Sequence, residues 1–507
     1  MKSDERPNFL VIMSDQHRRS AMGCMGDALA VTPTMDRLAE RGVVFENFYS
    51  NSPLCLPARM SFLTSRHPHE IECWGNCDSL GSDVPTFAHA LGAAGYETAL
   101  CGRMHIVGPD QHHGFEHRLV GDFRATWLWG GWDLESVLGP LADTPGTNRA
   151  SMEKSGPGWT GYMTYDERVR DAAVTWASQR SARSEDRRPF CFVAGFLSPH
   201  CPFVCPRDTF DKHFSTMSPP AIPEGHLETL HPLHRAMRRR SRIEDLTPME
   251  IRRTRAAYYG LLEWYDALMG SLLQSFEDAG LLENTVILYT SDHGDQIGDH
   301  GLWWKSTFYE GSTGVPLVVS WPRHLPEGRR VHANASLIDI GPTLTDMAGA
   351  SLLPKASGQS LLPLLRGDDS DCQDTVLCEF YQPPQRMLRK GPWKFCLYEG
   401  YDPQLFNLEE DPGEFHDRAG DPECREVLNA MTQELLENWS PSKVKSGVER
   451  REQQRAFLQD WAKAVRPFDP YGWPRQGEVQ PVNRIEPCPE AEQPGVPFPG
   501  LSCPDGP

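Results

Sequence analysis

Cys55, Pro57 and Arg59 stand in the pentapeptide Cys-Leu-Pro-Ala-Arg, and their types at that spacing suit anion chemistry. Proline needs no backbone N–H and is favoured at the first position of a helix. Pro57 at that position puts residue 55 at a helix N-terminus, where free N–H groups and the macrodipole favour negative charge. Arg59 follows four residues after Cys55, so its guanidinium returns over the same face and suits a bidentate grip on an oxyanion. Three short apolar runs end in further polar clusters: residues 8–14 stop at Asp15-Gln16-His17, 190–197 at Ser198-Pro199-His200, and 286–290 at Ser291-Asp292-His293. Asp15, Asp292 and His293 offer two carboxylates and an imidazole, a set for a hard divalent ion that keeps open positions. Gln16 is either a weak amide ligand or a group behind the ligands. Taken singly, an Asp after a strand is most often a helix cap, and one histidine among 18 is most often structural. Repetition at several strand ends, beside Cys55, is what points to a single site.

Those runs read as strands buried on both faces, and the open edge beyond their C-terminal ends is where α/β sheets build sites. Helical patterns lie between them at residues 35–41, 85–94 and 248–279, the last opening on Thr247 as N-cap. The alternation implies a doubly wound α/β sheet with helices on both faces. After about residue 370 the character changes. Residues 375–381 and 393–398 read as antiparallel strands, 405–408 with Asp411-Pro412 as a turn, and 424–439 as a helix returning to the core. The chain therefore divides into a catalytic α/β domain at 1–370, a C-terminal α+β subdomain at 371–465 and a Pro-rich tail at 466–507. The tail is either an arm over a neighbouring subunit, which hints at a homo-oligomer, or partly disordered.

The pentapeptide resembles the signature of the type I sulfatases, and residues 54–64 extend the match. The run from Gly95 to His105, ending Cys101-Gly102-Arg103-Met104-His105, resembles the family's second signature, and Ser291-Asp292-His293-Gly294-Asp295 its distal metal motif. The three follow the family's order and span roughly residues 7–410. The resemblance implies an alkaline-phosphatase-like fold: a mixed, doubly wound sheet flanked by helices, with a smaller C-terminal antiparallel sheet. It implies that a formylglycine-generating enzyme oxidises Cys55 to formylglycine, which joins Asp15, Asp292 and His293 around Ca2+. Gln16 stands where paired aspartates are common, and one fewer charge favours another divalent ion such as Mn2+. A nearby cation acidifies one hydroxyl of the hydrated aldehyde, making it the nucleophile; the second hydroxyl later expels sulfate. By resemblance Arg59 stabilises the hydrate and the developing charge, His105 takes the proton of the second hydroxyl, and His200 and Lys305 contact the sulfate and assist the leaving oxygen. Arg103 replaces the family's lysine, so a planar fork stands where an ammonium is usual. Ser65 replaces a usual glycine and Leu56 a usually small residue.

Two branches fit best. Choline-sulfatase-like enzymes share the character of residues 51–55, 108–115 and 301–303, and Asn76 falls where that branch has a substrate-oxyanion asparagine. Trp127, Trp129 and Trp132 form either a cation–π wall for a quaternary ammonium or a packed aromatic cluster, and Glu379 is a further anionic partner for such a cation. Phosphonate monoester hydrolases share the Asp-Gln start and also lack the lysine. The first reading is a sulfatase acting on a small alkyl or carbohydrate sulfate ester. The second is a phosphonate monoester or phosphodiester hydrolase with the same nucleophile. The third is a non-catalytic anion-binding protein, should Cys55 never be converted. A formal charge of −19 argues against nucleic acid, and Arg-rich 235–242 reads as a solvated helix face or an inter-subunit contact. No stretch is apolar enough to span a membrane, residues 1–7 carry no signal-peptide pattern, and the 14 cysteines lack disulfide-module spacing. The expected location is cytoplasmic.

Overall fold

The structure, a computed structural model, describes residues 6–123, 148–183, 188–368, 374–465 and 484–488. The chain enters directly on β1 (Asn8–Ser14), an unbroken apolar run closed by one serine. It continues through β2 (Val43–Tyr49), β3 (Glu97–Gly102), β4 (His117–Arg118), the short β5 (Gly156–Trp159), β6 (Phe190–Gly195), the short β7 (Val204–Cys205), β8 (Thr285–Ser291), β9 (Leu317–Ser320) and β10 (Arg329–Ser336). Eight of these form one sheet in the order β10-β2-β9-β8-β1-β6-β3-β4. β8, β1, β6 and β3 run parallel side by side, while β9 is antiparallel to both its neighbours. This is the doubly wound sheet expected from the alternation of elements, and it is mixed, as the resemblance implies.

Period two sorts the side chains of β1 into two cores. Leu10 and Ile12 face a layer that includes Val169, Trp176, Leu261 and Phe276. Phe9, Val11 and Met13 face the opposite layer, with Leu56, Phe62 and Leu344. The first layer is built by two long helices, Gly161–Ala182 and Pro248–Asp278. The second of these starts at a reciprocal cap: Thr247 Oγ1 accepts from the Glu250 N–H at 3.2 Å and Glu250 Oε2 accepts from the Thr247 N–H at 2.8 Å. The other layer holds helix Cys55–Thr64, every residue of which is buried.

That helix starts at Cys55 itself, two residues before the position expected from Pro57. Leu54 is extended and acts as the cap, so Pro57 lies third in the helix. Its missing N–H still falls within the first turn, where no intrahelical partner exists.

β11 (Thr375–Tyr381), β12 (Pro384–Lys390), β13 (Trp393–Tyr398) and β14 (Gln404–Asn407) make a four-stranded antiparallel sheet. Residues 405–408, expected to turn, lie mostly in β14, because Leu405 and Phe406 are needed as buried packing. One face packs Leu388, Phe395 and Leu405 on helix Arg425–Glu437 through Met431 and Leu435. The other sets Val376, Cys378 and Met387 against Tyr49 and Phe308 of the large sheet's domain. Lys394, buried there, pairs with Glu310 at 2.9 Å and Glu414 at 2.8 Å. A helix at Pro441–Val465, not foreseen, follows. Of the tail, residues 484–488 are described: β15 (Arg484–Ile485) pairs antiparallel with β5, and Cys488 is buried. Helix Pro232–Ser241 exposes most of its arginines but turns Arg238 inward. No helix among the described residues is long and apolar enough to cross a membrane, and none of the cysteines described is in a disulfide.

Candidate active site

Three adjacent parallel strands deliver the site. β1 ends at Asp15, β8 at Asp292 and His293, and β6 leads to His200, while helix Cys55–Thr64 points its N-terminus at the same edge. The side-chain atoms of Asp15, Cys55, Asp292 and His293 all lie within 4.8 Å of one another, and all four residues are buried. Cys55 Sγ is 3.2 Å from His293 Nε2 and 3.8 Å from Asp15 Oδ1. His293 Nε2 is 3.7 Å from a carboxylate oxygen of each aspartate.

The orientation of each group has a cause. His293 Nδ1 is 3.0 Å from the Gly294 carbonyl, which only accepts, so Nδ1 carries the proton and the Nε2 lone pair faces the cluster. Asp15 turns Oδ2 to Arg59 at 3.1 Å and Arg103 at 2.6 Å, leaving Oδ1 inward. Asp292 turns Oδ2 to Arg59 at 2.8 Å, and its Oδ1 accepts the Gln16 and His293 N–H groups at 3.1 and 2.9 Å. Gln16 donates Nε2 to Asp295 at 2.6 Å, which aims its amide oxygen at Lys305 at 3.0 Å. Asp295 in turn is fixed by the Ile297 and Trp304 N–H groups at 2.7 and 3.0 Å. The donor set of carboxylate, imidazole and amide oxygens, each with its outer atom tied down, fits a divalent ion.

Arg59 is fully buried. Beyond the two aspartates it donates to the Arg103 carbonyl at 2.8 Å and the Ser14 carbonyl at 3.2 Å. No pair of N–H groups remains for the bidentate grip on an oxyanion that its spacing suggested. It welds the Cys55 helix to the carboxylates instead, and losing one partner of such a buried pair costs about 3–5 kcal/mol. Gly195 is required beside it: a Cβ there would strike the Arg103 backbone.

Lys305 stands at the centre. Its Nζ is 3.0 Å from Cys55 Sγ, 3.0 Å from His200 Nε2 and 3.2 Å from His293 Nε2. Burial alone would raise the Cys55 thiol; Lys305, His293 and hydrogen bonds from His105 and His200 outweigh it and hold the thiol well below its usual range. Burial and Cys55 likewise push Asp15 up, and Arg103, His200 and Arg59 keep it ionised. His105 is brought down to about 4 by burial and by Arg103, whose Nη2 is 3.1 Å from His105 Nδ1. His105 is therefore neutral at neutral pH, and because Arg103 only donates, Nδ1 accepts and the ring proton sits on Nε2, which does not suit the proton-acceptor role the resemblance implied.

The remaining expectations fare unevenly. Asn76 is beside the site, and its Oδ1 accepts the Leu56 N–H at 3.0 Å, so it satisfies an open donor at the start of the Cys55 helix. Trp127, Trp129 and Trp132 lie outside the described residues. Glu379 offers no free charge to a cation, because Arg386 pairs with it at 3.2 Å, and His69 Nδ1 lies 2.7 Å from the same oxygen.

Sequence reasoning missed two supporting acids. Asp122, buried, accepts the N–H groups of Met104, His105 and Ile106 at 3.1, 2.7 and 3.2 Å and Arg118 Nη2 at 3.0 Å. It thereby holds His105 at φ +59°, a conformation L residues rarely adopt. Asp166 accepts the Leu197 and Ser198 N–H groups, both at 2.8 Å, and fixes the approach to His200. An aspartate on the buried face of helix Gly161–Ala182 was the available signal for Asp166. Asp122 follows a two-residue strand and carried none.

Comparison with known proteins finds relatives along most of the chain. The profile of the family described as Sulfatase matches residues 7–350, and that of N-sulphoglucosamine sulphohydrolase, C-terminal, matches 298–440. A choline-sulfatase of Rhizobium meliloti (strain 1021) is 34% identical over 93% of this chain and 94% of its own. Arylsulfatase K of Gallus gallus is 29% identical over 82% and 79% respectively. The crystal structure of the phosphonate monoester hydrolase of Agrobacterium radiobacter superposes with a TM-score of 0.70 at 25% identity, covering 85% of this chain and 95% of that one.

Proposed function

This chain belongs to the sulfatase family and is a sulfuric ester hydrolase, and we propose that it cleaves a small alkyl or carbohydrate sulfate ester through formylglycine formed at position 55, with a divalent ion held by Asp15, Asp292 and His293. The observation that carries this is the meeting of Cys55 with Lys305 at 3.0 Å and His293 at 3.2 Å at the helix N-terminus. In this structure Cys55 Sγ stands in for the oxygens of the converted residue. Formylglycine supplies a nucleophilic hydroxyl, and a bound Ca2+ or Mn2+ polarises that hydroxyl and the ester oxygens.

The chain's own residues do the rest. Lys305 and His200 sit together beside position 55, Nζ to Nε2 3.0 Å and Nζ to Cys55 Sγ 3.0 Å, and are the groups available to assist a leaving oxygen. His105 is neutral; Arg103 donates to its Nδ1, so its Nε2 carries the proton and acts toward position 55 as a hydrogen-bond donor. Arg103 orients His105 and Asp15 at once. Arg59 fixes the two metal-binding carboxylates. The 34% identity to a choline-sulfatase supports a small quaternary ammonium alcohol as the leaving group. The free cysteines support the cytoplasm as its compartment.

Arg103 and the likeness to a phosphonate monoester hydrolase favour a second reading, in which the same nucleophile attacks phosphorus. Turnover of a matched pair, an aryl sulfate and an aryl phosphonate monoester, by protein co-expressed with a formylglycine-generating enzyme separates the two. Sulfate preference is the expected result; phosphonate preference transfers the protein to the second reading. Peptide mass around Cys55, measured on the same sample, separates both from a non-catalytic anion-binding protein.

A further inference from the structure

We propose that, while residue 55 is still cysteine, the cluster Asp15, Cys55, Asp292 and His293 is a soft-ligand site that takes Zn2+, and that conversion of Cys55 abolishes this preference. The inference rests on the reading that Cys55 is the residue converted, and it concerns the folded chain before conversion.

The spacing is that of a tetrahedral ion. Zinc bonds of about 2.0–2.3 Å to N, O and S separate neighbouring ligand atoms by about 3.3–3.6 Å. The cluster offers Sγ to Nε2 at 3.2 Å, Sγ to Asp15 Oδ1 at 3.8 Å, and Nε2 to a carboxylate oxygen of each aspartate at 3.7 Å. These four separations lie within a few tenths of an ångström of the tetrahedral values, and all four ligand atoms lie within 4.8 Å of one another. His293 already presents the correct nitrogen, because the Gly294 carbonyl holds the proton on Nδ1, and Arg59 ties down the outer oxygens of both aspartates.

Ligand chemistry selects the metal. Thiolate with imidazole favours zinc over manganese, and manganese over calcium. Calcium seeks six to eight oxygens and gains nothing from a sulfur. Conversion replaces the sulfur by oxygen, so the same backbone then presents an almost all-oxygen shell. Binding needs no oxidant: the thiol gives up its proton to solvent as the sulfur–zinc bond forms.

Lys305 competes with the ion, since its Nζ faces both Cys55 Sγ and His293 Nε2. To admit zinc it must withdraw toward Gln16 Oε1, which it already touches at 3.0 Å. A folded chain that escapes conversion is then held as an inert zinc form, chemically distinct from the mature enzyme.

The test uses full-length protein expressed without a formylglycine-generating enzyme, with Cys55 verified by peptide mass and metals stripped. Zn2+ and Ca2+ are titrated against a chromophoric chelator, and Co2+ serves as a spectroscopic probe. The expected result is one Zn2+ per chain bound at least about 1,000-fold more tightly than Ca2+, with a sulfur-to-cobalt charge-transfer band. Cys55→Ser should remove the band and weaken Zn2+ at least about 100-fold, and Lys305→Met should tighten it about 10-fold by removing a competing charge. Circular dichroism checks that both variants are folded. Absence of the band, or Zn2+ affinity unchanged in Cys55→Ser or in converted protein, overturns the proposal. Turnover of the aryl sulfate by converted protein is a separate readout, so failure of the zinc site and failure of the sulfatase reading are told apart.

Discussion

Asp122→Asn tests whether a carboxylate that touches no substrate sets the rate. One Asp122 oxygen accepts the Met104 and His105 N–H groups, and the other accepts the Ile106 N–H and Arg118 Nη2. Asparagine keeps one acceptor and puts an NH2 where the other stood, facing two donors. Leaving two buried donors unsatisfied costs about 2–6 kcal/mol, at about 1–3 kcal/mol each. The segment can relieve this by moving, and it has a reason to: His105 at φ +59° holds about 1–2 kcal/mol of backbone strain that Asp122 keeps in place. A displacement of about 1 Å at a reacting group costs about 100-fold in rate, or about 2.7 kcal/mol of barrier. The assay is steady-state turnover of an aryl sulfate by converted Asp122→Asn enzyme, with metal content and melting measured on the same sample. We expect kcat to fall about 100-fold while KM changes less than about threefold, because an interaction specific to the transition state is lost. Metal content should be unchanged, since Asp122 contacts none of the metal-binding atoms. A folded, metal-loaded variant with wild-type kcat would refute the reasoning. So would loss confined to KM.

Cys55→Ala should abolish turnover and leave the melting midpoint near wild type, because the site loses its nucleophile but no core packing; residual turnover above background sinks the mechanism. Exhaustive chelation should suppress activity, and added Ca2+ or Mn2+ should restore it; an enzyme indifferent to chelation would mean that Asp15, Asp292 and His293 hold no working ion. His105, its pKa lowered to about 4, is neutral at pH 5 and above, so kcat/KM should show no acid limb near the ordinary histidine value that vanishes in His105→Gln. Ser65 closes the Cys55 helix at φ +58° with a buried hydroxyl that has no hydrogen-bond partner among the described residues. Ser65→Gly should therefore stabilise the protein by about 1 kcal/mol and raise its thermal midpoint by about 1–2 °C; a lower midpoint would show that the serine packs usefully.

The site was legible where chemistry coincides with a change of local pattern. β1, β6 and β8 are apolar runs that stop at polar residues, so Asp15, His200, Asp292 and His293 announce the sheet edge on which they meet. Lys305 had no such marker and came only from resemblance. It sits on an irregular loop in which His300, Trp304 and Ser306 all take positive φ, and no periodicity describes that path. Arg59 was found, but its partners were not, because proximity to Asp15 and Asp292 is created by the packing of a helix against two strands distant in sequence. Asp122 and Asp295 act by accepting backbone N–H groups, so their value depends on where the chain turns. β12 was missed for a related reason. Its Arg386 and Arg389 look solvent-seeking, yet both are buried, with Glu379 at 3.2 Å and the Tyr49 hydroxyl at 3.1 Å as partners.

The charges around position 55 suggest why conversion matters beyond supplying a nucleophile. The chain is formally −19, a field that repels an anionic ester, so attraction must come from the pocket. Arg59 and Arg103 are spent on Asp15 and Asp292. Among the described residues Lys305 has no carboxylate at bonding distance; the anionic group beside it at 3.0 Å is Cys55, whose thiol is held well below its usual range by Lys305 and His293 against the effect of burial. With residue 55 a thiolate, the Lys305 ammonium has an anion beside it. Formylglycine is neutral. Once it forms, Lys305 loses its counter-charge, and its ammonium, shielded from solvent, is free for an anionic oxygen even before a divalent ion adds to it. Conversion of one buried residue then removes an anion from the pocket and frees the Lys305 ammonium for a sulfate oxygen, which is how a strongly acidic protein can accept a sulfate ester.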